Sequence, residues 1–169
     1  MGVVVAARHV ALGHLFAIKL MQPSVMEVAG AVDRFLREGQ AVARLTSRHV
    51  GRVQDVGQLE NGVPYLVMDY LEGQDLASVL ETRGRLPVAE AAECLLQACE
   101  AIAEAHRKGI VHRDLKPANL FLTWEDEETP CIKVLDFGIA KLDGNANTTH
   151  SSAAMVSGGY MAPEQMSSR

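Results

Sequence analysis

The chain has 169 residues, 48% hydrophobic and 22% charged, with a net charge of −5. This is the make-up of one soluble globular domain with a core of its own rather than of a disordered chain. Acidic and basic residues are mixed along the sequence, so no basic footprint points to nucleic acid.

No apolar stretch is long enough to cross a bilayer, and the short run Val3 to Ala7 lacks the basic start of a signal peptide. Cys94, Cys99 and Cys131 form no Cys-x-x-Cys pair, and their odd number argues against a closed disulfide set. Cys94 and Cys99 are expected to be small core residues, in a reduced, cytoplasmic setting.

Residues 3–7 and 14–20 read as strands, rich in Val, Ile, Leu and Phe and separated at Ala11-Leu12-Gly13. Residues 29–46 carry helical spacing, with Phe35, Val42 and Leu45 on one stripe and Val32, Leu36 and Ala43 beside it. Residues 52–59 and 63–70 form a hairpin around Glu60-Asn61-Gly62, because Asn-Gly tolerates the positive φ of a tight turn. A short helix is predicted over 75–82. The clearest helix covers 87–108, with Pro87 in its first turn and Gly109 as its stop. Val88, Ala91, Ala92, Leu95, Cys99 and Ile102 are expected to form its buried face.

Beyond it, Ile110-Val111, Leu120 to Leu122 and Ile132 to Leu135 are brief apolar pieces, and Glu125 to Glu128 reads as a solvated loop. Residues 144–159 are small and polar and are expected to be mobile. Strands with one helix, then helices with short strands, predict two lobes joined near Asp69 to Gly73.

The chemistry concentrates in two strings. In His112-Arg113-Asp114-Leu115-Lys116-Pro117-Ala118-Asn119, Asp114 can accept a proton from a hydroxyl, Asn119 can offer an uncharged oxygen to a metal, and Lys116 can steady a phosphoryl group. In Asp136-Phe137-Gly138, Asp136 can chelate a Mg²⁺ that bridges phosphate oxygens. Singly, each has an ordinary explanation: an aspartate in a loop usually caps a turn, and a lysine is usually solvated. The eight-residue string followed by the Asp-x-Gly turn makes those explanations improbable. Lys19 ends an apolar strand, and Glu38 lies on the helix that follows, offset from the apolar stripe. A Lys19–Glu38 ion pair would aim the ammonium at the α- and β-phosphates, whereas the plain alternatives are an edge charge and a surface Glu38–Arg34 pair.

Together these strings, in this order, resemble the eukaryotic-like Ser/Thr protein kinases of bacteria, over almost the whole chain. The resemblance implies ATP and Mg²⁺ as cofactors and a protein Ser/Thr hydroxyl as acceptor. It makes Asp114 the base, Lys116 its companion, Lys19 and Glu38 the phosphate-orienting pair, and Asn119 and Asp136 the metal ligands. Gly2 is similar to the last glycine of the family's Gly-rich loop. Val4, Ala17, Met68 (the gatekeeper), Asp69 and Leu71 (with Tyr70, the hinge) would line the nucleotide. Val42, Val53, His112 and Phe137 resemble the hydrophobic spine, and Ala162-Pro163-Glu164 the close of the activation segment. Ser157 stands where the family usually has threonine, and Gly158-Gly159 departs from a commoner Pro-containing pattern. Arg113 would pair with a phosphate placed by self-phosphorylation on Thr148, Thr149, Ser151 or Ser152.

The implied fold is α+β and two-lobed, truncated, with an antiparallel sheet and one helix in a partial N-lobe (1–71) and a mainly helical partial C-lobe (72–169). The family's first strand, two glycines of its loop and the helices beyond Glu164 have no counterpart, so an incomplete, marginally stable catalytic domain is expected. A non-catalytic nucleotide-binding module and a small-molecule phosphotransferase are the rival readings.

Overall fold

A computed structural model describes residues 2–126, 128–137 and 159–167. Gly138, the Ser/Thr run from Thr148 to Ser152, Ser157 and Gly158 lie outside the described residues.

The chain first builds a four-stranded antiparallel sheet from β1 (Val3–Arg8), β2 (Leu15–Leu20), β3 (Val53–Gln58) and β4 (Pro64–Asp69), in the order β1-β2-β4-β3. The β3–β4 hairpin closes where the sequence predicts it. Gly62 takes φ 81°, Leu59 donates to the Val63 carbonyl, and the Asn61 side chain accepts from the Val63 N–H. A single-turn helix, α1 (Pro23–Met26), leads into α2 (Ala31–Val42). α2 buries Ala31, Phe35, Gly39 and Val42. Gly39 is the point of closest approach to the sheet, since a Cβ there would run into the Leu66 side chain.

The predicted helix over 29–46 is longer than α2, and the cause lies outside the segment. Leu45 donates back to Val42 in a turn, and the N–H groups of Thr46 and Ser47 are captured by the Glu104 carboxylate.

A second sheet, ordered β5-β6-β7, is made by β5 (Gln74–Asp75), β6 (Leu120–Trp124) and β7 (Pro130–Val134). Asp75 caps α3 (Leu76–Arg83), accepting from the Ser78 N–H and hydroxyl. The long helix α4 (Val88–Arg107) packs on β7, and its buried stripe is Cys94, Ala98, Ala101, Glu104 and Ala105. This corrects the face expected from sequence. Val88 is 87% and Leu95 58% exposed, and Cys99 is exposed rather than in the core. Small side chains let α4 lie close on the sheet, while the larger apolar ones turn outward. Cys94 is buried as expected, and all three cysteines are free.

One core joins the two sheets, running from Phe35 and Leu66 to Ile132 and Val134. The segment before β3 is stitched to β7, where Gly51 donates to Val134 and Val134 to His49. Among the described residues, no helix is long and apolar enough to cross a membrane.

Candidate active site

α4 ends at Gly109 (φ 73°), where Ile110 donates to Ala105 and Gly109 to His106. This paired C-terminal closure turns the chain sharply into the loop 110–119. Three residues after Gly109, His112 is buried. Its Nε2 lies 2.9 Å from the Leu135 carbonyl, and its Nδ1 accepts from the Asp114 N–H at 3.3 Å. Burial pushes the imidazole pKa below its ordinary value, although the Leu135 carbonyl and the Asp114 and Asp136 carboxylates oppose this. A neutral ring with the proton on Nε2 satisfies both contacts. The same ring packs on Phe137, with centroids 4.8 Å apart.

Asp114 is held on every side. Its carboxylate meets Lys116 Nζ at 3.0 Å and Asn119 Nδ2 at 3.2 Å, and Asn119 Nδ2 also donates to its carbonyl at 2.7 Å. A 3₁₀ turn over Pro117–Asn119 brings Asn119 back to this position. Because the amide nitrogen faces Asp114, the amide oxygen faces away. The Asn119 carbonyl accepts from Leu135 at 2.9 Å, which draws Asp136 alongside the loop.

Asp136 then meets Lys19: Nζ to Oδ1 is 2.5 Å. Lys19 is set in the sheet by its register, opposite Val4 on β1 and Leu66 on β4. Ala17 is opposite Met68, so Val4, Ala17, Lys19 and Met68 share one face. Gly2 lies at the mouth of this face, where a side chain would strike the Leu20 carbonyl. Asp69, at the end of β4, donates its N–H to Arg52 and accepts from Gln54, and half-buried Leu71 follows.

The structure therefore brings Asp114, Lys116 and Asn119 together, and Lys19 with Asp136, across Leu135. Lys19 meets the Asp136 carboxylate, and Glu38 lines a cavity of about 350 Å³ with Arg34, Arg37, Arg113 and Phe137. Val42, Val53, His112 and Phe137 are all buried.

Arg113 (φ 61°) and Asp136 (φ 56°) are the non-glycine residues in left-handed backbone among those described. Each such residue costs on the order of 1–3 kcal/mol, which the surrounding contacts must offset. Two residues escape a reading of the sequence. Glu104, a carboxylate in an apolar stripe, could have been flagged by that mismatch alone. Gln165, on α5 (Pro163–Ser167), carries no local signal, and its contact with Arg113 spans 52 positions.

The whole chain, residues 1–169, matches the protein kinase domain family. The chain belongs to that family. Among similar proteins, the kinase chain is 38% identical over 168 residues to the serine/threonine-protein kinase Pkn1 of Myxococcus xanthus, covering 98% of this chain and 24% of that protein. It is 35% identical to a probable serine/threonine-protein kinase PknB of Corynebacterium glutamicum, covering 98% and 26%. The crystal structure of the Mycobacterium tuberculosis PknI kinase domain superposes with a TM-score of 0.73 at 33% identity, covering 83% of this chain and 56% of that one. The kinase chain thus spans about a quarter of the length of the curated relatives it matches. Its fold is that of the two-lobed kinase domain, and the family as a whole uses ATP and a divalent metal ion.

Proposed function

We propose that this chain carries the catalytic residues of a Ser/Thr protein kinase, which moves the γ-phosphoryl group of ATP to a hydroxyl of a protein substrate. The observation that carries the proposal is the juxtaposition of the Asp114–Lys116–Asn119 cluster with the Lys19–Asp136 pair, one strand end apart. Asp114 orients the acceptor hydroxyl and takes its proton. Lys116, 3.0 Å from Asp114, neutralises charge where the phosphoryl group crosses. Lys19 reaches from the sheet to the α- and β-phosphates, and Glu38 is the second carboxylate proposed for it. Gly2, Val4, Ala17, Met68, Asp69 and Leu71 line the nucleotide, between an N-lobe part over 1–71 and a C-lobe part over 72–169.

The donors suit Mg²⁺. Among the described residues, no three His, Cys, Asp or Glu side chains converge into a metal cage. Instead there is one carboxylate, Asp136, and one amide oxygen, on Asn119. Mg²⁺ is ordinarily bound in this sparse way, with phosphate oxygens and waters completing the shell. When bound, the ion would supply charge neutralisation at the phosphates.

Arg113 is proposed to pair with a phosphate that self-phosphorylation places on Thr148, Thr149, Ser151 or Ser152, and a cytoplasmic location is proposed to match the supply of ATP. The test uses the intact protein with MgATP. Asp114→Asn is expected to lower phosphoryl transfer by about 10²–10⁴-fold, the usual contribution of a general base, with nucleotide binding unchanged. Transfer at the wild-type rate would reject Asp114 as the base. Nucleotide binding without transfer in the wild type would favour a non-catalytic module.

A further inference from the structure

The Arg113–Asp114 peptide unit is gripped from both sides by side chains. Its N–H, on Asp114, is held by His112 Nδ1 at 3.3 Å. Its carbonyl, on Arg113, accepts from Gln165 Nε2 at 2.9 Å. Arg113 has φ 61°, so the peptide is turned to an orientation that its own backbone disfavours. The Gln165 amide is aimed as well. Its Oε1 accepts from the Ala162 N–H at 3.1 Å, and its own N–H donates to the Ala162 carbonyl at 2.9 Å. Since only the amide oxygen can face the Ala162 N–H, the amide nitrogen must face Arg113.

We infer that Gln165 is a positioning residue for Asp114: it holds the strained Arg113–Asp114 peptide in place and so ties the orientation of the catalytic aspartate to the far end of the activation segment. The inference rests on the function proposed above. It separates two jobs of one side chain. Reaching back to the N–H just ahead of α5 is helix capping, and glutamate does that as well as glutamine. Donating to the Arg113 carbonyl is the positioning job, and an ionised glutamate cannot do it.

The test compares Gln165→Glu and Gln165→Met with wild type and Asp114→Asn in the intact protein, following kcat, the KM for MgATP and the melting temperature. Q165E keeps the cap and loses the donor. It is expected to lower kcat about 10-fold, short of the roughly 100-fold that a misplacement of about 1 Å can cost, with the KM for MgATP within about 2-fold of wild type and the melting temperature unchanged. Q165M should lower kcat to the same degree. A Q165E enzyme with wild-type kcat would overturn the inference, and a loss seen only in Q165M would reduce Gln165 to a cap. Wild-type protein that transfers no more phosphate than D114N would instead remove the proposed function, and this inference with it.

Discussion

His112 shows how one side chain can serve both packing and chemistry. Its ring fills the space against Phe137, and its two nitrogens fix Leu135 and Asp114. Both tasks require the neutral form, because a proton on Nδ1 would face the Asp114 N–H. The folded pKa lies below the ordinary 6.5, chiefly through burial. The stability gained from this histidine is therefore complete above pH 6.5 and is lost as pH falls through the lowered value. At pH 6.5, where a free histidine is half protonated, nitrogen-15 NMR is expected to show His112 neutral with its proton on Nε2. An imidazolium signal at that pH would contradict the arrangement. That His112, Asp114, Lys116 and Asn119 lie together was legible in the sequence because they fall within eight consecutive positions. The Lys19–Glu38 pairing was not settled by sequence. The competing carboxylate, Asp136, is 117 positions from Lys19, and only the folded chain brings them together.

At the scale of elements, Glu104 ties the segment that follows α2 to α4. It sits on the buried face of α4 and accepts from the N–H groups of Thr46 and Ser47, the Thr46 hydroxyl and Lys108. Lys108 also donates to the Arg44 carbonyl. The chain leaving α2 is thus pinned to the end of α4. Burial alone would raise the Glu104 pKa, but the Lys108 ammonium and the Thr46 and Ser47 donors overcome it and hold the carboxyl at about 2. The folded value lies below the ordinary 4.5, so this contribution is present above pH 4.5 and drains away as pH falls toward 2. Glu104→Gln replaces one acceptor oxygen with a donor facing backbone N–H groups. It is expected to cost about 2 kcal/mol at pH 7, typical of a lost charge-assisted hydrogen bond, and to flatten the acid dependence of stability between pH 4.5 and 2. Equal denaturation midpoints for both proteins at pH 7 would count against the clamp. The same contact explains why helical periodicity overran the end of α2. Periodicity sees Leu45 on the stripe, but a carboxylate 58 positions away takes the backbone donors that another turn would need. The misread face of α4 has a related cause. Hydrophobic size marks Val88 and Leu95, whereas close packing on β7 selects cysteine and alanine.

For the whole molecule, the largest consequence is the apolar surface left outward. Leu95 and Leu96 are 58% and 62% exposed on one side of α4. A groove of about 540 Å³ runs beside them, lined by Leu76, Leu80, Leu86, Cys94, Leu95 and Leu115. On the other sheet, the edge strand β1 exposes Val3, Val4 and Val5, and its outer edge has no neighbouring strand among the described residues, the arrangement most open to association with another strand. At about 25 cal/mol per Å², several hundred Å² of such surface represents several kcal/mol of unclaimed burial. A domain is stable by only about 5–15 kcal/mol, so this is a large share. The 169-residue chain on its own is therefore expected to bind a dye that reports exposed apolar surface, and to unfold over a broad denaturant range. Leu95→Glu with Leu96→Glu should weaken dye binding with little change in melting temperature, since neither side chain is part of the buried core. A steep single transition without dye binding would show that this surface is covered in solution, and the outward face of α4 would then have to be redrawn.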